Sequence, residues 1–170
     1  MPRPRLSALA GPLFFELMLG IAVGLVGTAL AARLSDNAGA AGLQIRFPPS
    51  VFPVNSVKAM RGCLWLEPQG LLVPFAQAVF KAYWTDDLDI SQDAVLAGIC
   101  RGLGIDADAF ARGIAEPTVK AGLKANTDEV IARGGFGSPT IYLDKTDMYF
   151  GNDRLPLIRE ALQRRQASAA

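Results

Sequence analysis

The sequence predicts an α/β protein in which a series of amphipathic helices precedes one β-hairpin and a closing helix. Three observations carry this. Apolar residues recur at helical spacing from Val57 to Val130. The period then changes at Thr140-Ile141-Tyr142-Leu143, a run of β-formers that returns at Met148-Tyr149-Phe150. Directly after it, Asn152-Asp153 gives a helix-start signal. At 170 residues the chain is one domain with room for an appendage, long enough to bury a core without disulfides or metal.

Composition excludes several function classes. A net charge of +1 leaves no basic surplus to neutralise phosphates, so nucleic acid is not an expected partner. The chain has no histidine, which removes Ser-His-Asp triads and zinc hydrolases, and no metal is expected. Its two cysteines, Cys63 and Cys100, stand 37 positions apart and form no C-x-x-C redox pair. They read as small buried hydrophobes.

Residues 1–44 form an atypical hydrophobic N-terminal segment. Within it, residues 13–32 run with one charge, Glu16, at about 1.5 Å per residue just long enough to cross a bilayer as a helix. Gly20 and Gly24 add a helix-packing spacing. A buried helix, a membrane tether and a signal segment all remain open for this run, because Glu16 and near-balanced flanking arginines argue against a simple span. Ser35 to Gln44 reads as a linker.

Residues 45–170 carry the globular pattern. "RFPPSVFPVNS" holds three prolines and forms neither helix nor central strand. It delivers Asn55-Ser56, a capping pair, to a helix over Val57–Leu66. A second helix is expected from about Gln69 to Trp84, with Leu72, Phe75, Val79 and Tyr83 inward. A third opens at Ser91, turns Val95, Ile99 and Leu103 inward and ends near Gly102-Gly104. A fourth starts at Asp106 and buries Phe110 and Ile114. The fifth has Pro117 at its start, Val119, Leu123 and Val130 as its stripe, and Gly134-Gly135 at its end. Asp128, Glu129 and Arg133 form a solvated charged face. "DKTD" reads as a turn, and a last helix runs from Arg154 to Gln163 with Leu155, Ile158 and Leu162 inward, leaving "RRQASAA" as a frayed tail.

Taken alone, Gly137-Ser138-Pro139 is a tight entry into a strand, and Gly151-Asn152-Asp153 is a turn with a helix cap. A helix start also offers free N–H groups and partial positive charge, a place for a carboxylate.

Several motifs in order carry a resemblance: "FPVNSVKAMRG", "VPFAQAVFKAYW", "DISQDAVLAGIC", "VKAGLKANTDEVIARGGFGSPTIYLD" and "YFGNDRL". Over about Arg46 to Leu162 the chain resembles the 2-hydroxychromene-2-carboxylate isomerase family, relatives of kappa-class glutathione transferases on the DsbA-like branch of the thioredoxin fold. The resemblance implies a thioredoxin-like fold with an inserted α-helical domain, the insertion covering about residues 55–133. It implies glutathione as cofactor and a small aromatic substrate, interconverted between 2-hydroxychromene-2-carboxylate and trans-o-hydroxybenzylidenepyruvate in aromatic degradation. The implied glutathione contacts are Ser138, Phe150, Gly151, Asn152 and Asp153. Pro139 is implied to be cis, so that Ser138 presents its backbone to an extended peptide. Asn55 is placed on the substrate side. The thiol comes from glutathione, which suits a chain without paired cysteines.

No catalytic residue is assigned. The family's Ser-Pro-Tyr motif is absent, Ser7 does not match it, and the N-terminal part reads as divergent or truncated. A kappa-like glutathione transferase and a catalytically impaired glutathione-binding module are therefore the alternatives. The expected compartment is the cytoplasm, with a membrane tether through residues 13–32 as its alternative and a homodimer as a further possibility.

Overall fold

A computed structural model of the protein describes residues 44–137, 139–143 and 147–168. The hydrophobic run at 13–32 lies outside these residues, and with it the question of a tether. Among the described residues no helix is long and apolar enough to cross a membrane.

The helix-then-hairpin order is as expected. Helix α1 spans Val57–Leu66, and the Asn55 carboxamide caps it by accepting the Val57 N–H at 3.1 Å. Ser56, the other capping candidate, is instead buried with its hydroxyl unpartnered. Helix α2 spans Leu72–Phe80, later than the expected start at Gln69. The cause is Gly70, whose left-handed φ of 74° separates a 3-10 turn at Glu67–Gln69 from the helix proper. The helix then widens into a π turn, Lys81–Thr85, and buries Leu72, Phe75, Val79 and Tyr83 as predicted.

Helix α3 spans Asp93–Gly102. It starts after Ser91 because the Asp89 carboxylate takes the Ser91 N–H at 3.0 Å and its hydroxyl at 2.6 Å, holding a turn there. Leu96 and Cys100 are its deepest residues, while Val95, Ile99 and Leu103 pack half-buried beside them, so the inward stripe sits one position from expectation. Helix α4, Ala107–Gly113, is capped by Asp106, which accepts from the Asp108 and Ala109 amides. Helix α5, Pro117–Ala132, buries Leu123, with Val119 and Val130 half-buried. It closes at Gly134, φ 78°, with the Gly135 N–H on the Val130 carbonyl. On its exposed side Glu129 pairs with Arg133, while Asp128 turns to Lys124.

These helices share one core. Phe110 meets Phe75 at 5.2 Å and Trp65 at 6.1 Å between ring centroids. The rings fit because Gly62 and Gly113 have no side chain where the aromatic edges lie. The proline-rich segment is pinned against the end of α2. Tyr83 donates its hydroxyl to the Val51 carbonyl, and the Ser50 amide and hydroxyl both donate to Asp87.

Strands β1, Thr140–Leu143, and β2, Asp147–Phe150, pair antiparallel, with Thr140 opposite Phe150 and Leu143 opposite Asp147. A 3-10 turn, Asn152–Arg154, leads into α6, Leu155–Ser168. Ile141, Leu143, Ile158 and Ala161 make a second, smaller core. Of the three residues expected inward on α6 only Ile158 is buried. Leu155 and Leu162 are exposed, and small Ala161 takes the facing position, letting the helix lie close to the strands. The expected tail is helical through Ser168, in part because Arg165 reaches Asp147 at 3.1 Å. Asp147, assigned to the turn from sequence, also accepts the Tyr149 hydroxyl from within β2. Arg133 lies 3.6 Å over the Tyr142 ring and joins the end of α5 to β1.

Two predictions follow from this packing. A Cβ at Gly62 would stand 2.7 Å from Phe110 and 2.8 Å from Phe75, both buried rings with no room to yield. Gly62→Ala gains about 1 kcal/mol in helix propensity but overpacks by about 1–3 kcal/mol, so its urea midpoint falls at unchanged slope. The Ser50 hydroxyl and amide, with Arg46, hold the Asp87 carboxyl below its ordinary value of 3.8. The unfolded chain therefore binds the extra proton, and the contribution is full above pH 4 and lost as pH falls through the folded value. Asn tolerates the Asp87 φ of 57°. Asp87→Asn should be less stable at neutral pH and show a shallower acid loss below pH 4 in thermal scans.

Candidate functional site

The hairpin register decides what meets at the end of β1. With Thr140 opposite Phe150, the next rung sets Pro139 against Gly151, and the Gly151 N–H donates to the Pro139 carbonyl at 3.0 Å. The segment entering β1 and the turn entering α6 are thus bonded to each other. Thr140 is fully buried and its hydroxyl donates to the Gly137 carbonyl at 2.6 Å, which fixes the approach to the strand.

Gly151 adopts φ 104°, open to glycine and strained for L side chains, and a Cβ there would run into the Asp153 carboxylate. Its carbonyl accepts the Arg154 N–H at 3.3 Å. Asp153 has its side chain 67% exposed and sits 3.6 Å from the Arg154 guanidinium, itself half exposed. Asn152 opens the 3-10 turn that leads into α6, so a helix start, with its partial positive charge, lies at this corner.

Phe136 and Phe150 pack against each other across the corner, ring centroids 4.6 Å apart and planes tilted by 42°. Gly137 makes this possible, because a Cβ there would stand 2.7 Å from the Phe150 ring. Phe136 is not among the sequence-predicted site residues, although an aromatic residue before a glycine at a strand entry is its visible signal.

The structure therefore brings Pro139, Phe150, Gly151, Asn152 and Asp153 together. Ser138, and with it the geometry of the Ser138–Pro139 bond, lies outside the described residues; among the described residues the cis bonds precede Pro48 and Pro53. Asn55 sits in the helical block, and its described hydrogen bond is the cap on α1.

Neither cysteine is placed for chemistry. Both are free and buried. Burial, aided by the Glu67 charge, pushes the Cys63 thiol up to about 12, and burial pushes Cys100 to about 11. Both stay protonated at neutral pH, so neither supplies a thiolate. A cleft of about 280 Å³ between α3 and α4, lined by Asp93, Leu96, Arg101, Asp108, Phe110 and Ile114, shares no residue with the corner. Its acidic rim is engaged in part by Lys58, which holds Asp93 at 2.7 Å.

Comparison with known proteins gives a consistent picture. The DSBA-like thioredoxin domain family matches residues 22–163. The 2-hydroxychromene-2-carboxylate isomerase of Sphingobium xenophagum is 26% identical over 116 residues, covering 67% of this chain and 59% of the relative. Its counterpart in Pseudomonas putida is 28% identical over 118 residues, covering 68% and 58%. That of Pseudomonas sp. strain C18 is 29% identical over 116 residues, covering 67% and 54%. The matches thus span little more than half the length of these relatives. A solved structure of a 2-hydroxychromene-2-carboxylate isomerase superposes with a TM-score of 0.73 at 21% identity, covering 95% of each chain, a likeness of fold.

The thiol environment gives a direct test. Under native conditions at pH 8 an aromatic disulfide reagent should titrate neither cysteine within minutes, and both after guanidinium is added. A fast native reaction at Cys63 or Cys100 would refute the protonated, buried state.

Proposed function

Starting from a chain that belongs to the DSBA-like thioredoxin domain family and has its thioredoxin-like α/β fold, we propose a glutathione-dependent isomerase of the 2-hydroxychromene-2-carboxylate type. The observation that carries the reading is the Gly151 N–H to Pro139 carbonyl bond, which ties the strand entry to the start of a helix. The substrate type is supported by the relatives, which are named 2-hydroxychromene-2-carboxylate isomerase.

The donor set at the corner fits glutathione. The leading amides after Gly151 suit a carboxylate. The exposed Asp153 carboxylate suits the neighbouring ammonium of a γ-glutamyl group. The proposed partner of the extended middle of the tripeptide is the backbone of Ser138, assigned from its sequence position before Pro139. When bound, glutathione supplies a thiolate able to add reversibly to an activated C=C bond, which then rotates as a single bond. The chain's share is to hold both ends of the tripeptide so that its sulfur stays in one place, which lowers the entropic part of the barrier. Cys63 and Cys100 take no part, being buried and protonated.

Isothermal titration with millimolar glutathione should give measurable heat, and Asp153→Asn should weaken binding by up to about fivefold, the range of an exposed ion pair. Added 2-hydroxychromene-2-carboxylate should then convert to trans-o-hydroxybenzylidenepyruvate only when glutathione is present. A conjugate carrying glutathione would instead mark a transferase. No heat, together with no effect of Asn152→Ala or Asp153→Asn, would sink the reading.

A further inference from the structure

We propose that the packed Phe136–Phe150 pair is a binding shelf for one planar aromatic ring system, the ring portion of the second substrate at the corner. This deepens the proposed function and rests on it for the word substrate, while the shelf itself rests on geometry.

Phe136 is 69% exposed and Phe150 41%, yet neither is loose. Their ring centroids lie 4.6 Å apart with the planes tilted by 42°. The backbone under Phe136 is fixed by the Thr140 hydroxyl on the Gly137 carbonyl. Phe150 is fixed by its pairing with Thr140 and by the Gly151 N–H on the Pro139 carbonyl. Single exposed apolar side chains are ordinary, whereas two aromatic rings held together in water by pinned backbone keep an apolar face ready for contact.

The size of that face selects its occupant. A whole phenylalanine buries roughly 150–250 Å², so two partly exposed rings offer far less than the roughly 800 Å² per partner of a stable protein interface. One or two fused rings match it. Position agrees, because the shelf borders the same bonded rung, Pro139–Gly151, from which the helix start departs. A ligand ring lying there would be beside whatever the helix start holds. Aromatic pairing beyond simple burial corresponds to about two- to twelvefold in affinity.

The test uses the full chain and coumarin-3-carboxylate, a stable fused-ring probe, followed by ligand-observed NMR titration, with cyclohexanecarboxylate as the saturated control. Binding of the coumarin but not of the control is expected. Phe136→Ala should weaken it about two- to twelvefold, Phe136→Trp should retain it, and neither should change glutathione affinity or thermal midpoint. If Phe136→Ala fails to fold, Phe136→Leu, apolar but without a π face, should show the loss. Equal affinity for the control, no effect of either substitution, or a parallel loss of glutathione binding would overturn the shelf. So would loss of probe binding together with a shift in sedimentation on Phe136→Ala, which would assign the rings to self-association. Coumarin binding without glutathione binding would leave the shelf standing and remove the proposed function. The converse would remove the shelf alone.

Discussion

One hydrogen bond, from the Gly151 N–H to the Pro139 carbonyl, organises the corner proposed as the site. It continues the β1–β2 ladder one rung past Thr140 and Phe150. Without it the strand entry and the helix start would be independent loops. With it, the Phe150 ring must lie over Gly137, and the chain must turn sharply enough to demand a glycine at 151. The positive φ at Gly151 is the local cost of aiming a helix start away from the end of a hairpin.

The helical block contributes a frame. Its packing depends on backbone close enough to aromatic rings that Gly62 and Gly113 admit no side chain. Both thiols of the chain are spent inside this frame, which is why any sulfur chemistry at the corner must come from outside it. The end of α5 hands the frame to the hairpin through Arg133 stacked on Tyr142.

Much of this was legible in the residues, for identifiable reasons. Helix α1 was readable because prolines end just before it and Asn55 is a strong local acceptor. The bounds of α5 were readable from Pro117 and Gly134, residues with one backbone preference each. The hairpin was readable because β-branched and aromatic residues cluster there. Propensity could not see the π turn at Lys81–Thr85, which depends on how Ala82 and Tyr83 settle into the core. Nor could it see the rotation of α3 by one position or of α6 onto Ala161, because helical periodicity marks an apolar face but not which residue of that face a neighbour approaches closest. At the corner, the residue types around Pro139 and Gly151 were conspicuous, but their mutual bond depends on strand register, which the residue types between the two strands do not announce.

The two cores are unequal. Among the described residues the one under the helical block gathers aromatic rings from α1, α2 and α4, whereas the one beneath the hairpin consists of Ile141, Leu143, Ile158 and Ala161 with Tyr149 packed half-buried against them. Opening free energies across a protein track such local burial, so the hairpin and α6 should form a separate cooperative unit that breathes while the helices stay closed. Protease cleavage and amide exchange would then report on the corner long before they report on the frame. Any small molecule gripped there would act as a clasp, slowing the breathing of that unit and leaving the other indifferent.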